Sequence, residues 1–164
     1  LFGQLFKINT DNIGTFIMQG QLLLPEEVLA QWPEIAPLVA SFSDKGEGES
    51  TVFDIAQKCI SMRYQCWTVR EEGKLICLCI TKIDTYPTFK ALHIIGIAGK
   101  AMRSWQHFHP ELENFAKFND CKRITQWGRT GWTKRLEQLE GQHGEKYKVI
   151  HTVMAMELIT DKGI

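Results

Sequence analysis

The chain has no excess charge of either sign: nineteen Lys and Arg balance nineteen Asp and Glu across 164 residues. Without a net positive field, wholesale binding to nucleic acid or to an anionic lipid surface has no electrostatic support. No apolar run approaches the roughly 20 residues that cross a bilayer. The first residues also lack the basic segment and apolar core of a secretory leader. Five cysteines are present, Cys59, Cys66, Cys77, Cys79 and Cys121, but no Cys-x-x-Cys pair. An odd count without that spacing speaks against a disulfide framework or a zinc site and for free thiols in a reducing compartment. No metal site is expected elsewhere either. His107 and His109 are two residues apart in a helical pattern, so their side chains point about 200° apart and cannot share an ion. Tyrosine is scarce, with only Tyr64, Tyr86 and Tyr147, and no Ser-His-Asp or Cys-His arrangement is visible.

What is present is a globular pattern, with 44% hydrophobic residues and a length suited to one domain. Residues 1–21 read as an N-terminal extension and residues 22–164 as the domain. Within the extension, Leu1–Ile8 has the pattern of a strand, and Phe2, Leu5, Phe6, Phe16 and Ile17 add apolar surface. Such surface marks a docking segment for a second copy or another protein. Pro25-Glu-Glu opens a helix, with proline in the first turn and carboxylates at the positive dipole end. Pro33 and Pro37 predict a kink or two short pieces. Ser50 or Thr51 can cap a second helix. Cys66–Val69 and Leu75–Ile83 read as a hairpin turning at Gly73, and Ala91–Ala98 as the next strand. A helix follows from about Lys100 to Phe118, with a break expected near His109 because of Pro110. Lys122–Trp127 reads as a strand, Thr130–Leu139 as a helix, and Tyr147–Leu158 as a long final strand.

Two joints in this order pass from strand through glycine to helix, each with a cation nearby: Ile97-Ala-Gly-Lys100 and Trp127-Gly-Arg-Thr-Gly-Trp132. Backbone N–H groups at such joints can face an anion. Alternatively, Gly96 and Gly99 only make the turn and let the helix pack on the sheet. Trp127, Arg129 and Trp132 have two readings of the same kind, stacking on an adenine or a partner, or anchoring the last helix. His93, alternating with Leu92 and Ile94 on its strand, is either a half-buried histidine or a base. Asp84 at a strand end is the other candidate base. Cys121, opening its strand, reads as a buried thiol or a stand-in proton donor.

The order of elements resembles the GNAT (N-acetyltransferase) superfamily, and more narrowly a group of small phage-encoded GNAT-like proteins. The matching words are Leu24-Pro-x-x-x-Leu-x-x-Trp32, Gln65-Cys-Trp67, Ile80-Thr-Lys-Ile with Tyr86-Pro87, Ala98-Gly-Lys-x-Met-x-x-Trp105, Glu113 to Ala116, and Cys121 through Gly128-Arg-x-Gly-Trp132. The resemblance implies an α/β (strictly α+β) fold, a mixed twisted sheet with helices on both faces. It also implies an acetyl-CoA cleft where two neighbouring strands splay apart, between Leu92–Ile97 and Ile124–Trp127. The pantetheine would lie there as a strand-like partner. On this resemblance Ile97, Ala98, Gly99, Lys100, Arg103 and Arg129 would bind the cofactor, and a backbone group near the splay would polarise the thioester.

Two departures weigh against catalysis. The superfamily's glycine-rich phosphate word is reduced to Gly96 and Gly99, and the last helix has no tyrosine to protonate the leaving thiolate. The expectation from sequence is therefore a degenerate acetyl-CoA site with weak or absent binding. The protein would be a phage structural or assembly protein, in host cytoplasm or virion, that docks virion proteins or a second copy through the N-terminal extension and needs no cofactor. The alternative is an active acetyl-CoA-dependent N-acetyltransferase acting on an unknown amine.

Overall fold

The computed structural model describes residues 3–8, 18–45, 49–100, 102–127 and 130–151. They fall into two compact units, Leu1–Trp127 and Gly128–Ile164. The first holds β1 (Leu5–Ile8), β2 (Met18–Leu22), α1 (Pro25–Ser43), α2 (Val52–Ile60), β3 (Gln65–Glu71), β4 (Lys74–Thr85), β5 (Lys90–Gly99), α3 (Met102–Phe118) and β6 (Cys121–Gln126). These strands form a single six-stranded sheet in chain order. Every neighbouring pair is antiparallel except β5 and β6, which are parallel and joined by α3, as a crossover requires. The second unit contains α4 (Thr130–Glu137), which leads to a bridge between Glu140 and Lys146.

The helices form for local reasons and are held by their apolar sides. At the start of α1 the Glu27 carboxylate accepts hydrogen bonds from the Leu24 N–H and the Gln21 amide, both at 2.7 Å. Thr51 and Asp54 make a reciprocal capping box at the start of α2, with bonds of 3.0 and 3.1 Å. Contrary to the expected kink, α1 runs unbroken through Pro33 and Pro37. Both prolines are exposed and one turn apart, so the carbonyls they leave unpaired are on the wet side of the helix. The inner stripe of Val28, Ile35 and Val39 remains buried. α3 likewise continues through Pro110, held onto the sheet by Phe108, Leu112, Phe115 and Ala116. The expected break there is corrected for the same reason: tertiary packing outweighs one lost backbone bond.

Alternation along the strands divides the core. On one face Ile35, Val39 and Ile55 of α1 and α2 meet Leu78 and Ile80. On the other, the α3 residues meet Trp67, Cys79, Leu92 and Ile94. The expected mixed sheet with helices on both faces is what forms. The boundary expected between residues 21 and 22 falls inside β2, whose Leu22 is fully buried and pairs with Trp67. The segment before it supplies β1 to the same sheet. Residues 147–151 of the expected last strand are not strand, and its remainder lies outside the described residues. No described helix is long and apolar enough to cross a membrane.

Along the β4–β5 ladder Ile80 pairs with Gly96, but Thr81 pairs with Ile94, so Ile95 is an extra residue in β5. This is a β-bulge. It turns Ile95 and Gly96 to the same face, where a Cβ on Gly96 would sit 2.4 Å from the Phe42 ring of α1. Farther along, Gly99 has φ +142°, and an added Cβ would lie 2.2 Å from the Ile76 carbonyl oxygen. Gly99→Ala combines left-handed strain with a backbone clash and should destabilise the protein by about 3 kcal/mol. Gly96→Ala should cost less, about 1–3 kcal/mol, because a side chain can move. Phe42→Leu should recover part of the Gly96→Ala loss and none of the Gly99→Ala loss, measured by urea unfolding.

Candidate functional site

β5 and β6 run together only as far as Ile94 and Gln126. β6 then ends, while β5 continues to Gly99 paired with β4 alone. The fork thus opens at the bulge. Ile95 has no register partner on either neighbouring strand, and the β6-side edge of residues 95–99 carries no strand partner among the described residues. An open row of backbone donors and acceptors is a template for an extended ligand. At the fork, Gln126 Oε1 is buried without a hydrogen-bond partner. A buried acceptor left unpaired costs about 1–3 kcal/mol, so an N–H donor arriving in the fork would recover that loss.

The bulge is pinned from both faces. On the α1 side Phe42 lies against Gly96. On the α3 side the Trp67 indole N–H donates to Thr81 Oγ1 at 2.9 Å, and the Thr81 hydroxyl donates to Gln65 Oε1 at 3.0 Å. All three residues are buried. Trp67 is in turn held edge-on by Phe108 and Phe115 of α3, with ring centroids 5.6 and 5.0 Å apart. Gln65, Trp67, Thr81 and Phe115 stand in the words that carry the resemblance and Gly96 at a glycine joint, but nothing in the sequence marks them as the clamp of a bulge. A bulge leaves no mark in hydrophobic alternation short enough to separate from noise.

His93 is one pair before the fork, in register with Lys82 on β4 and Thr125 on β6. It is buried, its Nδ1 is 2.9 Å from Thr125 Oγ1, and the Trp127 ring meets it edge-on at 4.8 Å. Burial lowers its pKa to about 4, helped by the Lys82 charge and opposed by Asp84. The ring is therefore neutral at physiological pH. When Nδ1 carries the hydrogen and donates to Thr125, Nε2 keeps its lone pair and can accept a proton.

Asp84 is not free to act as a base in the same way, because Lys82 holds its carboxylate at 2.9 Å. Cys121 pairs with Lys90, at the opposite end of the β5–β6 ladder from the fork. Its thiol pKa is raised, chiefly by burial. It is therefore neither placed nor activated to serve the cleft. His109 is buried and bonded to Glu113 at 2.9 Å, whereas His107, two residues before it, is exposed. Among the described residues no cluster of side chains could hold a metal.

Of the residues implied to hold a cofactor, Ile97 is half-buried against the α3-side core and Ala98 is buried; Gly99 and Lys100 are exposed. The Lys100 N–H donates to the Ile76 carbonyl at 3.1 Å, so that amide is already used. α3 begins at Met102, two residues beyond Lys100, and the first turn of a helix has amides without an intrahelical partner. Arg129 and the side chains of Arg103 and Trp132 lie outside the described residues.

Neither a family model nor a curated protein matches the sequence. Solved structures do. A ribosomal-protein-alanine N-acetyltransferase from Brucella melitensis biovar Abortus 2308 is 15% identical, with a TM-score of 0.62 over 85% of this chain and 99% of that one. A possible acetyltransferase from Clostridium difficile 630 is 9% identical, with a TM-score of 0.63 over 87% and 99%. A GNAT family acetyltransferase from Staphylococcus aureus subsp. aureus USA300_TCH1516 is 13% identical, with a TM-score of 0.58 over 86% and 98%. At these identities the likeness concerns the fold, and the fold is GNAT-like.

The state of His93 has a consequence for stability. Unfolded histidine titrates near ~6.5, whereas folded His93 titrates near 4. Between those values the unfolded chain binds the proton and the native one does not, so stability falls as pH drops through this window. His109, also lowered by burial, adds to the same limb. In His93→Gln, urea midpoints between pH 7 and pH 4 should vary less than in the parent, and a second change at His109 should reduce the slope further. An unchanged slope in His93→Gln would mean that His93 titrates at the same pH in the folded and unfolded chain.

Proposed function

We propose that the protein is an acetyl-CoA-dependent N-acetyltransferase, with the β5–β6 fork as its donor site. The observation that carries this reading is the coincidence of three features at one place: the bulge at Ile95, the end of β6 opposite Ile94, and the unpaired buried Gln126 Oε1. A sheet gains nothing for its own stability from any of them. An extended ligand with amide groups would pair with the free edge of residues 95–99 and donate to Gln126. A phosphate group would meet the first turn of α3, with Lys100 exposed beside it. When bound, an acetyl thioester supplies the acyl group. The rest falls to the chain: the fork excludes water, the bulge presents backbone to the acyl end, and neutral His93 accepts a proton from the incoming amine.

The acetyltransferases among the structural neighbours support this reading over the other. A phage structural or assembly role, with residues 1–21 docking a virion protein or a second copy, draws support from the sequence departures alone.

Thermal unfolding with added acetyl-CoA tests the proposal. At free ligand one hundred times Kd, stabilisation of about 2.7 kcal/mol should raise Tm by roughly 5–10 °C. Lys100→Ala should weaken binding several-fold at low salt, with the difference shrinking as salt is added. No shift at millimolar acetyl-CoA would return the cleft to a degenerate scaffold.

A further inference from the structure

On the face of the sheet that carries α1 and α2, strand register lays side chains in two rows across β4, β5 and β6. Lys82, His93 and Thr125 form the row next to the fork, and Asp84, Ala91 and Arg123 the row behind it. Trp127 closes the fork end of this array. It is 66% exposed, yet its ring is held against buried His93. At the far end Tyr86 stacks on Phe89 at 4.7 Å, and the Arg123 guanidinium lies over Phe89 at 4.3 Å. Arg123 is exposed, and among the described residues no carboxylate pairs with it, since Asp84 is taken by Lys82.

A guanidinium held over a ring and without a carboxylate partner is a preorganised receptor for a carboxylate. An exposed indole braced by a buried ring is likewise a fixed stacking surface. From Arg123 to Trp127 a strand rises four residues, about 13 Å. That is longer than a free amino acid and matches three or four residues of extended peptide. In these two rows two cations, Lys82 and Arg123, stand against one carboxylate, Asp84, which disfavours polyamines and basic chains.

We propose that this array binds the N-terminal segment of an acidic peptide. Its amine lies at His93, its first side chain against Trp127, and a carboxylate from its second or third residue on Arg123. The proposal rests on the acyl-transfer reading, since it makes the peptide amine the acceptor, but its binding half is measurable without transfer.

The test uses the full chain and four probes: the peptide amides Phe-Glu-Glu-Gly, Phe-Lys-Lys-Gly and Ala-Glu-Glu-Gly, and spermidine. Binding is followed by calorimetry with coenzyme A present, and transfer by thiol release from acetyl-CoA. Phe-Glu-Glu-Gly should bind and react at least ~10-fold better than the lysine peptide or spermidine. Arg123→Gln should erase the preference for glutamate, and Trp127→Ala the preference for phenylalanine over alanine. Both residues are exposed, so the variants should stay folded. Equal use of the lysine peptide, or indifference to Arg123→Gln, overturns the proposal while leaving acyl transfer standing. Tight binding of the acidic peptide with no thermal shift from acetyl-CoA sinks the transfer reading and keeps the peptide site. If neither binds, both fall.

Discussion

The extra residue in β5 is the constraint on which the rest of the cleft depends. Without it, β5 would pair in step with β4 along its whole length, and Ile95 and Gly96 would point to opposite faces. With it, two consecutive residues face α1, and only glycine at position 96 leaves room for the Phe42 ring. A bulge disrupts its ladder and has to be held by its surroundings. Here the holding is done by an aromatic ring on one side and by the Trp67–Thr81–Gln65 hydrogen-bond chain on the other. Both clamps are anchored in a helix. Phe42 belongs to α1, and Trp67 is wedged against α3. Each hydrophobic core therefore fixes one side of the same irregularity.

The fork also explains the electrostatics beside it. His93 is covered well enough to lose its charge, and Lys82 in the adjacent register position reinforces that loss. Thr125 is the hydroxyl that β6 offers at the same level. Had β6 stopped one pair earlier, His93 would lose this partner and the ring orientation it sets. The length of β6 thus decides at once where the edge of β5 becomes free and which side chain stands at its mouth.

How much of this was legible in the sequence depends on how local each signal is. A helix cap at Ser50 or Thr51, the proline start at Pro25 and the hairpin turn at Glu72-Gly73, with φ of 49° and 78°, are contained in a few residues and were readable, and the structure selects Thr51. Pro33, Pro37 and Pro110 misled because a proline's cost is local while the packing that overrides it is not. Residues 1–21 read as an appendage because an outer strand is recognised by its pairing partner, and the partner of β2 is β3, which begins more than forty positions later in the chain. The candidate base His93 was identified by alternation, but its neutrality was not, since Lys82, Thr125 and Trp127 meet it only in the folded sheet. Cys121 shows the converse. Its place at the start of a strand was correct, yet only the parallel register reveals that this end is remote from the fork.

The two sequence departures that argued against catalysis lose force once the chemistry is weighed. An alkyl thiol ionises near ~8.5, so a thiolate departs at neutral pH with little need for a proton from the protein. A missing tyrosine on α4 then removes an acceleration rather than a requirement. General acid–base assistance is worth about 10²–10⁴-fold, well short of what positioning and preorganised backbone can contribute together. The sparse glycines bear on affinity in the same graded way. Lys100 spends its amide on Ile76, so fewer N–H groups remain for a phosphate, although a helix that starts at Met102 brings first-turn amides with no intrahelical partner. What would have been disqualifying is a closed ladder between β5 and β6 or a bulge filled by a side chain. The chain instead keeps glycine at 96, a hydrogen-bonded clamp behind it, and an open edge in front.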